Sequence, residues 1–243
     1  MRVLLIQVRR SDDPMSQHER TCITKKVTTP VEWVFRNAVV TPASETWLSG
    51  IDAVMVGGSG DFSVHDSRSR VWLDPLLKLI GETIQRNIPF LGICFGHQAL
   101  ATYFGSVVKS LPASAEIGTC QYALTAEGAT DPLFGRLPRR FQAQAGHSDS
   151  VMSTPDGMTL MVRNGTLETQ AFRVQGRLAY SVQFHPDLTG AEARERYLAY
   201  KDELLSSGQD EPEKGAQQFI LGSDTAGVLL DQFVKLARVH PAS

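Results

Sequence analysis

The sequence predicts an α/β fold, a mostly parallel central sheet flanked by helices with a smaller antiparallel β portion. Three observations predict it. Short apolar runs that barely alternate recur at residues 3–8, 51–56 and 88–93, as strands buried on both faces do. A stretch of helical period at 72–86 separates the last two, giving the strand–helix–strand order of a parallel sheet. From Ile117 the texture changes to shorter β-like pieces punctuated by turn residues, which suits antiparallel pairing.

Residues 3–8 form the first strand. The polar stretch 9–19 reads as a loop, and 17–26 leaves helix and coil both open. Residues 31–40 contain a short strand. The run 51–56 is a further buried strand, closed by Gly57-Gly58-Ser59-Gly60. Within 72–86, Trp72, Leu76, Leu77, Leu79, Ile80 and Ile84 fall near helical spacing. Strand 88–93 then runs into Cys94, and residues 98–104 leave it as a helix. Later β pieces lie at 121–125, 159–163, 169–174 and 177–184, with Asn164-Gly165 and Gln175-Gly176 as hairpin turns. Residues 191–205 read as a helix and 206–214 as an exposed linker rich in Ser, Gly, Asp, Glu and Pro. Ser223-Asp224 is expected to cap a final amphipathic helix carrying Val228, Leu229, Phe233 and Val234.

The chain has 243 residues, enough for one large domain or two small ones. The order of elements favours a single domain over 1–243, with an inserted helix and loop at about 188–221 before the last helix. A hydrophobic content of 42% with 21% charged residues is ordinary for a globular protein, and the net charge of −2 gives no footprint for nucleic acid or a membrane surface. The opening apolar run is too short for a signal peptide, and none approaches the ~20 residues that span a bilayer. Cys22, Cys94 and Cys120 form no disulfide framework, which points to a reducing, cytoplasmic compartment. The six histidines show no zinc-type spacing, and neither a metal nor a cofactor is expected.

Chemistry concentrates at Gly92-Ile93-Cys94-Phe95-Gly96. An apolar strand enters a sharp turn, a nucleophile sits at its apex, and a helix leaves: the cysteine form of a nucleophile elbow. The glycines remove the Cβ atoms that the turn would force together. The helix aims its positive end at the sulfur, which favours a negatively charged nucleophile. A nucleophile needs a base, a group that orients the base, and donors for the oxyanion. His185, at the end of strand 177–184 and before Pro186, is the candidate base. Asp187, two positions on, can turn back towards the imidazole. The backbone N–H groups of Phe95 and Gly58 are the candidate oxyanion donors. The Gly57–Gly60 loop lacks the Gly-Lys-[Ser/Thr] ending of a phosphate-binding P-loop.

Taken in order, Gly57-Gly58-Ser59-Gly60, Gly92-Ile93-Cys94-Phe95-Gly96-His97-Gln98 and Val182-Gln183-Phe184-His185-Pro186-Asp187 resemble the class I (triad) glutamine amidotransferases. Glu116-Ile117-Gly118 and Gly146-His147-Ser148-Asp149-Ser150-Val151 add smaller matches. The resemblance covers residues 45–187 and is to the stand-alone GMP-synthase type of amidotransferase domain. It implies a flavodoxin-like fold in which Cys94 attacks the glutamine carboxamide to form a γ-glutamyl thioester. His185 would protonate the leaving amine and later activate water, and Asp187 would orient it. Gly58 and Phe95 would form the oxyanion hole. Gly57 and Gln98 would bind substrate, His147 and Asp149 would shape the same pocket, and His97 would be a packed polar residue. Ammonia would pass to a separate synthetase or other acceptor enzyme.

Three departures stand out. The family usually carries Glu where this chain has Asp187, shortening the reach by about 1.5 Å. Ser59 replaces a commoner Pro, and the segment 188–221 is longer than in many relatives. Two other functions follow: a γ-glutamyl peptidase or hydrolase acting on a larger γ-glutamyl amide, or a triad-compromised binding homologue.

Overall fold

Alternate residues of the inner strands feed two different cores, which is how a sheet buried on both faces must pack. Val3, Leu5, Ala53, Met55, Leu91 and Ile93 pack on one side. Leu4, Ile6, Val54, Val56 and Phe90 pack on the other. This computed structural model describes residues 1–111, 114–200 and 212–240. Its main sheet has nine strands. The strands are β1 (Arg2–Gln7), β2 (Glu32–Asn37), β3 (Ala53–Val56), β4 (Phe90–Ile93), β6 (Glu116–Leu124), β7 (Arg140–His147), β9 (Met158–Arg163), β10 (Ala171–Val174) and β11 (Ala179–Val182). Their spatial order is β2-β1-β3-β4-β11-β10-β9-β6-β7. From β2 to β11 all neighbours are parallel, and from β11 to β7 all are antiparallel. A separate antiparallel pair joins β5 (Val108–Ser110) to β8 (Asp149–Val151). The α/β architecture expected from the sequence is present, including the smaller antiparallel portion.

Helices cover both faces. Among the described residues, α2 (Arg70–Gln85) buries Trp72, Leu73, Leu76, Leu79 and Ile80 against one face, as its helical period predicts. The other face receives Leu229, Leu230, Phe233 and Val234 of the C-terminal helix Val228–Val239. Around these run α1 (Met15–Lys26), α3 (Phe95–Tyr103), α4 (Ala126–Thr130), α5 (Gly190–Ala199) and α6 (Pro212–Ala216), with Val228–Val239 as α7. No helix among the described residues is long and apolar enough to cross a membrane.

Several local expectations change. The loop expected at 9–19 becomes helix from Met15, because α1 buries Glu19 in a polar network as well as Cys22 and Ile23 in apolar contacts. The strand at 140–147 carries small and polar residues and shows no apolar run, yet it pairs with β6 along its whole length. Ser223-Asp224 does not cap α7: Gly227 is its N-cap, a short 3₁₀ turn over Thr225–Gly227 intervenes, and Asp224 pairs with Lys26. The helix expected at 191–205 is α5, and its expected continuation over 201–205 lies outside the described residues. So does the linker at 206–211, whereas Pro212 already opens α6 and is buried. Gln175-Gly176 makes the expected tight turn, with Arg177 N–H donating to Val174 O and Gly176 at φ +70°.

Candidate active site

Strands β3, β4 and β11 are parallel neighbours, so the residues that follow them emerge side by side at one sheet edge. Gly57-Gly58 follows β3, Cys94 follows β4 and His185 follows β11. Topology thus brings together groups that lie far apart in the chain.

Cys94 has φ +51° and ψ −98°, a left-handed conformation rare for a residue with a side chain. Holding it there costs about 1–3 kcal/mol. The two flanking glycines make the turn possible. A Cβ on Gly92 would collide with the Gly96 carbonyl, and one on Gly96 with the Val56 carbonyl. The turn is further tied down by Cys94 N–H donating to Val182 O at 2.8 Å and Gly96 N–H to Gly57 O at 3.2 Å. Cys94 is 5% exposed, and Gln183 Nε2 approaches its sulfur at 3.6 Å.

His185 faces this sulfur. Its backbone N–H donates to Gln144 O at 2.8 Å, anchoring the β11 end to β7. Its Nδ1 lies 3.0 Å from Asp187 Oδ1, so the shorter Asp reaches the ring. Burial alone would push the imidazole pKa down, but the Asp187 carboxylate and the hydrogen-bonded Cys94 sulfur outweigh it and raise the pKa to about 9. Burial likewise opposes the Asp187 charge, yet Arg196 and His185 hold that carboxyl well below the ordinary range. Arg196 Nη1 stands 3.1 Å from Asp187 Oδ2.

Gly58 lies against the same ring: an added Cβ would sit 3.0 Å from His185 Cε1 and 3.6 Å from Cys94 Cβ. Its N–H, however, donates to Glu19 Oε1 at 3.1 Å. Glu19 is fully buried and shared with Arg9, whose Nε and Nη2 donate to it at 3.0 and 3.1 Å. Gly57 packs on the same carboxylate, since a Cβ there would come 2.6 Å from Glu19 Oε1. The Phe95 N–H belongs to the first turn of α3, where helix geometry supplies no acceptor.

The remaining expected residues flank this centre. Gln98 Nε2 donates to Asp149 O and Gln183 Oε1, each at 3.1 Å. His147 is buried, with Nδ1 3.0 Å from Asp149 O and Nε2 3.2 Å from Glu116 Oε2. The Asp149 carboxylate turns to the 59–65 loop, where Ser63 Oγ donates to it and His65 Nε2 lies 3.2 Å away. His97 is buried between Ser181 Oγ and Thr169 O, at 2.9 and 3.1 Å, and burial lowers its pKa to about 3, so it is a neutral packed residue. Sequence reasoning missed Arg196, Glu19 and Gln183. Only Gln183 had a local signal, its place beside His185.

The family model for class-I glutamine amidotransferases matches residues 23–203. A subunit of the glutamine-hydrolysing GMP synthase of Methanocaldococcus jannaschii is 34% identical over 126 residues, covering 51% of this chain and 60% of that protein. A glutamine-hydrolysing GMP synthase of Thermosipho africanus is 32% identical over 146 residues, 60% of this chain but 26% of that protein. This chain therefore matches less than two thirds of either relative's length. In fold it is similar to the crystal structure of a glutamine amidotransferase from Thermotoga maritima. That likeness has a TM-score of 0.73 at 22% identity, over 98% of this chain and 97% of the other. Since the family model covers more than half of its residues, this chain belongs to the class-I glutamine amidotransferases.

Proposed function

We propose that the protein hydrolyses the side-chain amide of glutamine through a Cys94 thioester, releasing glutamate and ammonia for a separate acceptor enzyme. The observation that carries this reading is His185 seated between the Cys94 sulfur and the Asp187 carboxylate. In the proposed sequence the Cys94 proton already rests on His185, the thiolate attacks the amide carbon, and the imidazolium protonates the departing ammonia. Water, deprotonated by His185, then cleaves the thioester. Asp187 fixes the imidazole tautomer through Nδ1 and stabilises the imidazolium.

Phe95 N–H, in the first turn of α3, serves as one oxyanion donor. Gly58 joins it once its peptide turns from Glu19 towards the sulfur, a rotation that a glycine permits. Gly57, Gln98, His147 and Asp149 shape the glutamine pocket through the loop and β8 backbone they support. Such a site needs no metal or cofactor. It does need a reduced cysteine, in keeping with a cytoplasmic protein. A separate acceptor is supported by relatives that are each one subunit of a glutamine-hydrolysing GMP synthase.

Glutamate release from glutamine, measured with the purified protein alone and in the presence of a synthetase-type acceptor protein, tests the reading. Loss of turnover by at least about 10³-fold in Cys94→Ala supports it. Equal turnover by the variant refutes it.

A further inference from the structure

Two glutamine side chains form a line that ends on the Cys94 sulfur. Gln98 Nε2 donates to Asp149 O and to Gln183 Oε1, each at 3.1 Å, and Gln183 Nε2 lies 3.6 Å from Cys94 Sγ. All three residues are buried, Gln183 completely. We propose that Gln183 is a further catalytic residue, whose amide N–H holds the attacking sulfur as a thiolate, and that Gln98 is the positioning residue that aims it. This role deepens the proposed reaction and rests on Cys94 being its nucleophile.

The backbone brings Gln183 to the sulfur. Cys94 N–H donates to Val182 O at 2.8 Å, so the residue after Val182 starts beside the elbow. Gln183 N–H is held in turn by Gln170 O at 2.8 Å. Val182 and Phe184 enter the apolar core, while the side chains of Gln183 and His185 turn to the sulfur. The nucleophile thus meets an amide and an imidazole that stand two positions apart in the chain.

Which end of the Gln183 amide faces the sulfur is fixed by the acceptor at the far end of the line. The Asp149 carbonyl can only accept, so Gln98 presents its NH2 there, and the second hydrogen of that group goes to Gln183. Gln183 must answer with its oxygen, which leaves its own NH2 for the sulfur. Turning over either amide sets oxygen against oxygen or N–H against N–H. Among the described residues Gln183 Nε2 makes no other hydrogen bond.

A neutral thiol is a weak acceptor and gains little from this donor. A thiolate is charged, and a buried N–H donated to a charged acceptor shifts an equilibrium by about 10- to 100-fold. The contact therefore favours the ionised sulfur and raises the fraction of Cys94 able to attack at neutral pH. Two titratable groups also face the sulfur. His185 supplies the counter-charge, and Tyr122 of β6 is a phenol that burial keeps neutral. Gln183 adds a donor that does not titrate.

The test uses Gln183→Glu, which keeps the shape and the oxygen that Gln98 bonds but replaces the donor by an oxygen, and Gln183→Met, which removes the amide at similar length. Iodoacetamide is the probe: a thiolate displaces its iodide, no glutamine site is needed, and peptide mass spectrometry reads the Cys94 adduct. At pH 7 labelling should fall at least about tenfold in both variants relative to wild type. At pH 10, where the thiol ionises without help, Gln183→Met should come within about threefold of wild type. Undiminished labelling at pH 7 in folded variants overturns the proposal, and so does an equal slowing at both pH values, which a purely structural role would give. Glutamine turnover is measured alongside. The expected labelling without turnover supports the donor and refutes the glutaminase reading, whereas turnover with labelling indifferent to position 183 does the reverse. If neither variant folds, 15N-labelled wild type decides: the Gln183 side-chain N–H signal should move upfield when Cys94→Ala removes its acceptor, and an unmoved signal overturns the assignment.

Discussion

One Asp187 carboxylate is shared between two cations: Oδ1 lies 3.0 Å from His185 Nδ1 and Oδ2 lies 3.1 Å from Arg196 Nη1. The Arg196 contact is an ion pair rather than an aligned hydrogen bond, since Nη1 makes none. Both residues are buried, so the pair is weakly screened. Through it, α5 reaches back to the residue that orients the candidate base.

Replacing Arg196 by Met removes that charge and should cost about 3–5 kcal/mol, the usual consequence of leaving a buried charge without its partner. Urea unfolding at pH 7 measures this. The sign with pH is fixed by Asp187. Its folded pKa is depressed, so its stabilisation is present above the unfolded value near 4 and is lost as pH falls through the folded value. Without Arg196 the folded pKa rises, and acid unfolding should begin at a higher pH than in wild type.

His185 gives the opposite slope. Its folded pKa is raised from 6.5 to about 9, so its stabilisation is complete below about 6.5 and lost as pH climbs through about 9. Converted at 1.36 kcal/mol per unit, the loss is roughly 3 kcal/mol across that window. Urea midpoints at pH 6 and pH 9.5 should differ more in wild type than in His185→Asn. Glutaminase activity should fall with an apparent pKa near 9 as the imidazolium loses its proton.

Backbone strain at Cys94 separates stability from chemistry. With φ at +51°, Cys94→Gly should be more stable than Cys94→Ala by about 1 kcal/mol, because glycine alone adopts that region freely. Both variants should lack glutamine turnover. Thermal or urea unfolding of the two proteins checks the difference.

The elbow tolerates no side chain at its hinge. Gly96→Ala would drive a Cβ into the Val56 carbonyl, a backbone atom of a buried strand that cannot yield cheaply. A loss of more than about 3 kcal/mol, or failure to accumulate folded protein, is expected. Gly146→Ala, whose Cβ meets open space, should stay within about 0.5 kcal/mol of wild type.

The legible parts of the sequence were those where local pattern and fold agree. Gly92-Ile93-Cys94-Phe95-Gly96 announces its turn because the glycines are demanded by contacts inside the motif and with the next strand. Parallel order followed from apolar runs that did not alternate, and the two cores on opposite faces bear that out. What was hidden depends on partners remote in sequence. Arg196 looks like any helix-surface arginine until α5 packs it against Asp187. Glu19 looks like a solvated residue until Arg9, Gln7 and the Gly58 amide surround it. Strand β7 was hidden because its alternation of small and polar residues mimics a loop.

The central claim is that Cys94 is an activated nucleophile facing a glutamine site, and affinity labelling tests it most directly. Incubation with a diazo-ketone analogue of glutamine, followed by peptide mass spectrometry, should place one adduct on Cys94 and none on Cys22 or Cys120. Burial pushes both of those thiols up to about 12, so neither competes at neutral pH. His185→Ala should slow the labelling at least tenfold. Folded protein that stays unlabelled at Cys94, or labels as fast without His185, would contradict the account.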